Sequence, residues 1–161
     1  MSTPLQAHLD DLLMPRYKVP FQFHDGGRAK AGYMGNTGDC GVRAVAIAAE
    51  MDYVEVYKMV ITYSKRERIT KKKRRVSHPR TGIWAPTYWK ILADLGFQWT
   101  PTMGIGTGCQ VHVKPDELPG GRLVLALSRH YTAFIDGVLH DTYNCAREGT
   151  RCVYGYWEII E

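Results

Sequence analysis

Cys40 lies in Asn36-Thr37-Gly38-Asp39-Cys40-Gly41, directly ahead of an alanine-rich stretch, and His130 opens a run, His130 to Asp141, that alternates like a β-hairpin. A thiol at a helix N-terminus and an imidazole on a strand with a carboxylate nearby are the parts of a cysteine nucleophile. The thiol must become a thiolate, and an oriented imidazole must carry protons. Asp39 is expected to cap the helix that Cys40 begins. Unpaired backbone N–H groups there favour negative charge and lower a thiol pKa from its free value of ~8.5. The same groups, the Cys40 amide included, suit an oxyanion, and Asn36 just upstream is the side-chain candidate for that role. Gly38 and Gly41 let a substrate approach the backbone closely.

The third member follows from strand register. Asp136-Gly137 is a two-residue turn signal of the primed type, which pairs Ile135 with Val138. Thr132 then faces Asp141 and His130 faces Tyr143. Paired residues share a face and parity alternates along each strand, so His130 and Asp141 point to one side as diagonal neighbours, roughly 7–8 Å apart at the backbone. Asp141 is thereby the candidate that orients the imidazole. A three-residue turn would shift the register and bring Asn144 opposite His130, so Asn144 is the alternative third member.

These residues need elements to hold them. Thr3-Pro4 followed by Leu5, Leu9, Leu12 and Leu13 reads as a short helix stopped by Pro15. Residues 16–35 read as irregular. Residues 40–50 form a helix with little polar surface, expected to be buried on most sides. Asp52-Tyr53-Val54-Glu55 has the form of a capping box, and Tyr53, Val56, Tyr57 and Val60 give the next helix an apolar face. Pro86 opens a further helix with Trp89, Leu92 and Ala93 inward, ended by Gly96. Residues 100–121 read as a long connection. Strands follow at 123–127, 131–135, 138–141 and 152–159. Helices first and antiparallel strands later describe one α+β domain over 1–161, with a basic loop inserted at about 64–80.

Composition narrows the function. The chain carries +5, yet residues 65–80 hold nine basic residues against Glu67 alone, a surplus of eight, which leaves the remainder at −3. Lys71, Lys72, Lys73, Arg74 and Arg75 form a candidate surface for an anionic partner, either nucleic acid or acidic protein. No aromatic residues interleave with them, so single-strand stacking is unsupported, and a solvated, mobile insertion is the plainer expectation. No run approaches the ~20 apolar residues of a membrane span, and no basic-then-apolar leader opens the chain. An intracellular protein with Cys40, Cys109, Cys145 and Cys152 reduced is therefore expected. Cys109 with His112, and Cys145 with Cys152, are a weaker alternative as zinc ligand pairs. Trp84, Tyr88, Trp89, Phe97 and Trp99 read as packing rather than a ligand box.

These motifs resemble the papain-like cysteine hydrolase superfamily, in which an early nucleophile helix meets a later histidine-bearing sheet. Asp39-Cys40-Gly41 and the His130 to Asp141 hairpin most resemble the bacteriocin-processing peptidases that cut double-glycine leaders. Small phage-encoded proteins carry a similar Asp-Cys-x-Val-Arg-Ala stretch. Cys40-Gly-Val-Arg43-Ala44 with His130-Tyr131 is more weakly similar to the ovarian-tumour deubiquitinases. The likeness covers roughly 33–60 and 82–145. It implies a papain-like fold and a cytoplasmic enzyme, in a phage-infected host if the phage likeness is followed. It also implies attack by Cys40 on a peptide or isopeptide carbonyl, an acyl-enzyme, and no metal or organic cofactor. In the bacteriocin-processing type a glutamine stands six residues before the cysteine; here that residue is Met34, so a catalytically inactive binding protein is the alternative reading.

Overall fold

In the computed structural model, which describes residues 3–13, 16–35 and 37–160, a six-stranded sheet carries helices on one face and long loops on the other. The elements in chain order are α1 (Pro4–Leu13), β1 (Phe21–Phe23), α2 (Cys40–Ala49), α3 (Tyr53–Ser64), α4 (Ala85–Asp94), β2 (Phe97–Pro101), β3 (Arg122–Leu127), β4 (His130–Ile135), β5 (Val138–Asp141) and β6 (Gly155–Ile159). The strand order is β1-β5-β4-β3-β6-β2. The class is α+β, as the sequence implies. Among the described residues no helix is long and apolar enough to cross a membrane.

Side-chain parity along the central strands divides the core. Val124, Ala126, Tyr131 and Trp157 face α2, α3 and α4, where they meet Val42, Val45, Val56, Ile91 and Leu92. Leu123, Leu125, Phe134 and Leu139 face the other way, onto Val19, Val113, Cys145 and Val153. Placing α2, apolar apart from Arg43, against the middle of the sheet removes its surface from water at roughly 25 cal/mol per Å², which fixes where residue 40 must lie.

The hairpin has the register read from the sequence: Ala133 pairs with His140, Phe134 with Leu139 and Ile135 with Val138. Asp136 and Gly137 both have positive φ, +47° and +81°, as a primed two-residue turn requires.

Several expectations need correction. The sheet is mixed rather than antiparallel, because β1 lies parallel to β5 with Phe21 beside Leu139. That three-residue edge strand falls in the stretch read as irregular. It is held by Leu139 N–H donating to Pro20 O and His24 N–H to Asp141 O, both long-range contacts that no local pattern encodes. β2 is a second strand without a local signal; it pairs with the remote β6, Trp99 opposite Trp157. In α4 the inward stripe is Thr87, Tyr88, Ile91 and Leu92. Ala93 is exposed, and Trp89 sits at the rim, 41% exposed, its ring 4.6 Å from that of Trp99. Asp52 makes no side-chain cap to α3. Pro15 lies outside the described residues.

The cysteines are not all reduced: Cys109 and Cys152 form a disulfide, while Cys40 and Cys145 are free. The pairing of Cys145 with Cys152 as metal ligands is thus replaced. A two-residue bridge between His112 and Cys152 lays the 109–113 segment against the chain entering β6 and brings the two sulfurs together.

The basic loop is folded around its one acid. The Glu67 carboxylate accepts from Lys73 Nζ at 2.8 Å, Ser77 N–H at 2.7 Å and the Thr87 hydroxyl at 2.6 Å. Burial works against its charge, but these donors prevail and hold it down at about 2. Ser77 also accepts from Trp84 N–H at 2.7 Å, which ties the loop to the start of α4. The expectation of a freely mobile insertion therefore gives way to an anchored one.

Candidate functional site

Cys40 is the first residue of α2, and His130 the first of β4. Packing α2 across β4 brings these ends together. The His130 side chain and the Tyr131 backbone N–H are the thiol's near neighbours, and His130 lines the same groove. His130 Nε2 lies 2.7 Å from Asp141 Oδ2, which leaves Nδ1 as the nitrogen for the thiol. Thr132, facing Asp141 across the hairpin, donates to the same carboxylate oxygen at 2.7 Å. The Tyr143 ring lies 5.3 Å from that of His130, where the register puts it.

Electrostatics favour charge separation. Burial opposes a Cys40 thiolate, but the neighbouring His130 side chain, the Tyr131 N–H and the positive charges of His130 and Arg43 bring its pKa below the ordinary value. Burial likewise opposes an imidazolium, yet the bond to Asp141 and the nearness of Cys145 and Cys40 push His130 far above its ordinary range. Asp141 is also opposed by burial, and His130, Thr132 and Arg43 hold it well below the usual carboxylate range. The pair is thus favoured as thiolate and imidazolium.

Asp39 does a different task from the one expected. It makes no side-chain cap to α2. Its fully buried carboxylate accepts from Arg43 Nε at 2.9 Å, Tyr53 Oη at 2.8 Å and Arg28 Nη1 at 3.2 Å. Arg43, one turn on, spans from Asp39 to Asp141 Oδ1 at 2.7 Å. Cys40, Asp39 and Asp141 with His130, Arg43 and Arg28 then form one charge-balanced network, buried except at Cys40 and Arg28. With Asp39 turned inward, no side-chain cap from the described residues covers the first amides of α2.

The thiol is reachable. Cys40 is partly exposed in a groove of about 320 Å³ whose walls include Gly38, Thr81, Gly82, Ile83, Arg129 and Tyr131. Gly41 is needed there: a Cβ would come within 3.0 Å of the Tyr88 ring and 3.2 Å of Ile83. The Tyr88 hydroxyl donates to Gly41 O at 2.9 Å, which steadies the first turn of α2.

The remaining candidates part company. Asn36 lies outside the described residues. Asn144 is exposed and its side-chain oxygen accepts from Ala146 N–H, so it is not the third member; the two-residue turn keeps it off the imidazole. Of the five cations at 71–75, Lys73 is spent on Glu67, while Lys71, Lys72, Arg74 and Arg75 are exposed. Cys109 and His112 do meet, Sγ to Nε2 at 3.4 Å, but Cys109 is already bridged. Among the described residues a metal-type cluster of His130, Asp141 and Cys145 exists, and it coincides with the candidate catalytic group, whose atoms already bond one another.

Arg43, Thr132, Tyr53 and Cys145 were missed by sequence reasoning. For Arg43 a signal existed: one charge inside an otherwise apolar, buried helix must have a buried partner. Thr132 follows from the register, whereas Tyr53 and Cys145 have no local signal. No protein-family model matches the chain, and no curated protein or solved structure matches it.

Proposed function

We propose that the chain is a papain-like cysteine hydrolase that cleaves a peptide or isopeptide bond. One observation carries the reading: a partly exposed thiol at the start of a buried helix shares a groove with an imidazole that favours its charged form, and the Nε2 of that imidazole is held by a buried carboxylate at 2.7 Å. A nucleophile, a proton carrier and an orienting acid stand in chain, and an open groove leads to the nucleophile.

In this mechanism the Cys40 thiolate attacks the carbonyl carbon, and the oxygen's developing charge turns toward the Cys40 amide at the uncapped start of α2. The His130 imidazolium gives its proton to the departing amine, leaving a thioester on Cys40. Neutral His130 then takes a proton from water, which attacks the thioester, and the acid product departs as the thiolate reforms. Asp141 keeps the imidazole in the orientation that serves both steps, while Arg43 and Thr132 keep Asp141 charged and in place.

A peptidyl electrophile that mimics the acyl group tests this. Wild-type protein is expected to be labelled at Cys40, with labelling abolished in Cys40→Ala and His130→Ala although both stay folded. Labelling that persists on Cys145 after Cys40 is removed, at an unchanged rate, refutes the assignment. A wild-type protein that binds peptide yet never forms the thioether marks an inactive binding protein instead.

A further inference from the structure

The segment 81–84 is a wall shared by two concavities. On one side Thr81, Gly82 and Ile83 face the Cys40 groove. On the other, Trp84, about 3.8 Å further along the backbone, faces a second and larger hollow of about 740 Å³ beneath the basic loop. Its floor is apolar, built by Tyr63, Trp84 and Pro86, and its rim is cationic, with Arg66, Arg68, Lys72 and Lys90.

The charges divide into two groups. Glu67 and Lys73 neutralise each other, and Lys73 Nζ also lies 4.6 Å from the Trp84 ring centroid. Arg66 stacks at 5.2 Å on Tyr63, whose hydroxyl donates to Asp94 at 2.6 Å. Arg68, Lys72 and Lys90 are exposed and have no carboxylate partner among the described residues. The Glu67 anchor therefore holds Arg68 and Lys72 of the loop where, with Lys90 of α4, they ring a hollow instead of dispersing into solvent.

Resting on the hydrolase reading, we infer that this hollow recognises an acidic stretch of the substrate polypeptide, next to the bond presented to Cys40. Three observations favour a peptide over a nucleic acid. The hollow adjoins a groove whose nucleophile needs an acyl carbon, which a polynucleotide backbone lacks. Lys73 covers a face of Trp84 that a base would need for stacking. The cations encircle a pocket with an apolar floor, which suits carboxylates carried on a chain with apolar neighbours, rather than forming a track for a phosphate backbone. Together with the negative balance of the rest of the chain, this makes the basic loop a substrate-selecting device.

The test combines binding with labelling. Fluorescein-labelled hexaglutamate is expected to bind the wild-type protein saturably at low salt and hexaglutamine not to bind. The triple variant Arg68→Glu/Lys72→Glu/Lys90→Glu should weaken binding at least about tenfold, and the outer-loop variant Arg74→Glu/Arg75→Glu no more than about twofold. Two peptidyl electrophiles, with hexaglutamate before or after the reactive group, then probe continuity with the groove. At least one should label Cys40 about tenfold faster than its glutamine counterpart, and the triple variant should erase that gain. Equal losses in both variants, tighter binding of a thymidine dodecamer than of hexaglutamate, or no gain in either orientation overturns the inference. Hexaglutamate binding that the triple variant abolishes, with no electrophile reacting at Cys40, removes the hydrolase reading and leaves an acidic-peptide pocket.

Discussion

Replacing Arg43 by Met keeps most of the side chain's volume in α2 and removes the guanidinium that spans Asp39 and Asp141. The side chain is only 7% exposed, and its two carboxylate partners are 0% and 1% exposed. Removing one partner of a buried pair costs about 3–5 kcal/mol, because the other charge stays buried without its counterion. Here the low end applies. Asp39 retains Arg28 and Tyr53, and Asp141 retains His130, Thr132 and the Thr142 N–H at 2.7 Å. The expected loss is about 3 kcal/mol, or a fall in Tm of roughly 6–12 °C for a domain of this size. Urea denaturation at pH 6.5 measures it, and a cycle with Asp141→Asn isolates the coupling, expected at about 1.5 kcal/mol or more. Arg43→Lys should recover part of the stability, since one charge returns without the two-armed reach. Iodoacetamide alkylation of Cys40 should slow in Arg43→Met because the thiolate loses a nearby positive charge. A variant within about 0.5 kcal/mol of wild type, with additive behaviour in the cycle, would refute the idea that Arg43 joins α2 to Asp141.

Other measurements bear on the same physics. Cys40 alkylation should stay fast well below pH 8.5, because a thiolate with a lowered pKa is lost only as pH falls through that lower value; a profile rising through ~8.5 like a free thiol contradicts the ion pair. Glu67→Gln should cost about 2 kcal/mol at neutral pH, and the wild-type advantage, full above the unfolded pKa of ~4.3, should vanish as pH falls toward 2; a constant difference across that range contradicts the assigned cause. Reduction of Cys109–Cys152, or Cys109→Ser/Cys152→Ser, should lower stability by about 4 kcal/mol from the 43-residue separation it closes, read by denaturation with and without dithiothreitol. Gly155→Ala should destabilise by about 2 kcal/mol or more, since a Cβ there would collide with the Trp99 ring and approach Thr100 O at 2.8 Å; a melting curve matching wild type would mean the β2–β6 pair is looser than it looks.

Local information went furthest where neighbours in sequence are also neighbours in space. Asp136-Gly137 forces a primed turn, the turn sets the pairing of β4 with β5, and parity then puts His130, Thr132 and Asp141 on one face. The apolar run after Cys40 likewise dictates a helix buried almost all round, with the thiol at its start. Asp39 shows the limit of such reasoning. Its position suits a helix cap, but the carboxylate gains more from two guanidiniums and a phenol than from one amide, and those partners come from residues 28, 43 and 53.

The α+β class, the main helices, the hairpin register and the residue types of the candidate triad were thus legible along the chain, because each depends on periodicity or turn chemistry within a dozen residues. That Cys40 and His130 share one groove, and that Arg43 reaches from α2 to Asp141, came from long-range packing. It also decided that Asn144 points away, that β1 runs parallel to β5, that Cys109 pairs with Cys152, and that the basic loop curls around Glu67. Each of these is a contact between distant parts of the chain. Such contacts are selected by the total burial and charge balance of the packed core, and no single stretch of sequence carries that information.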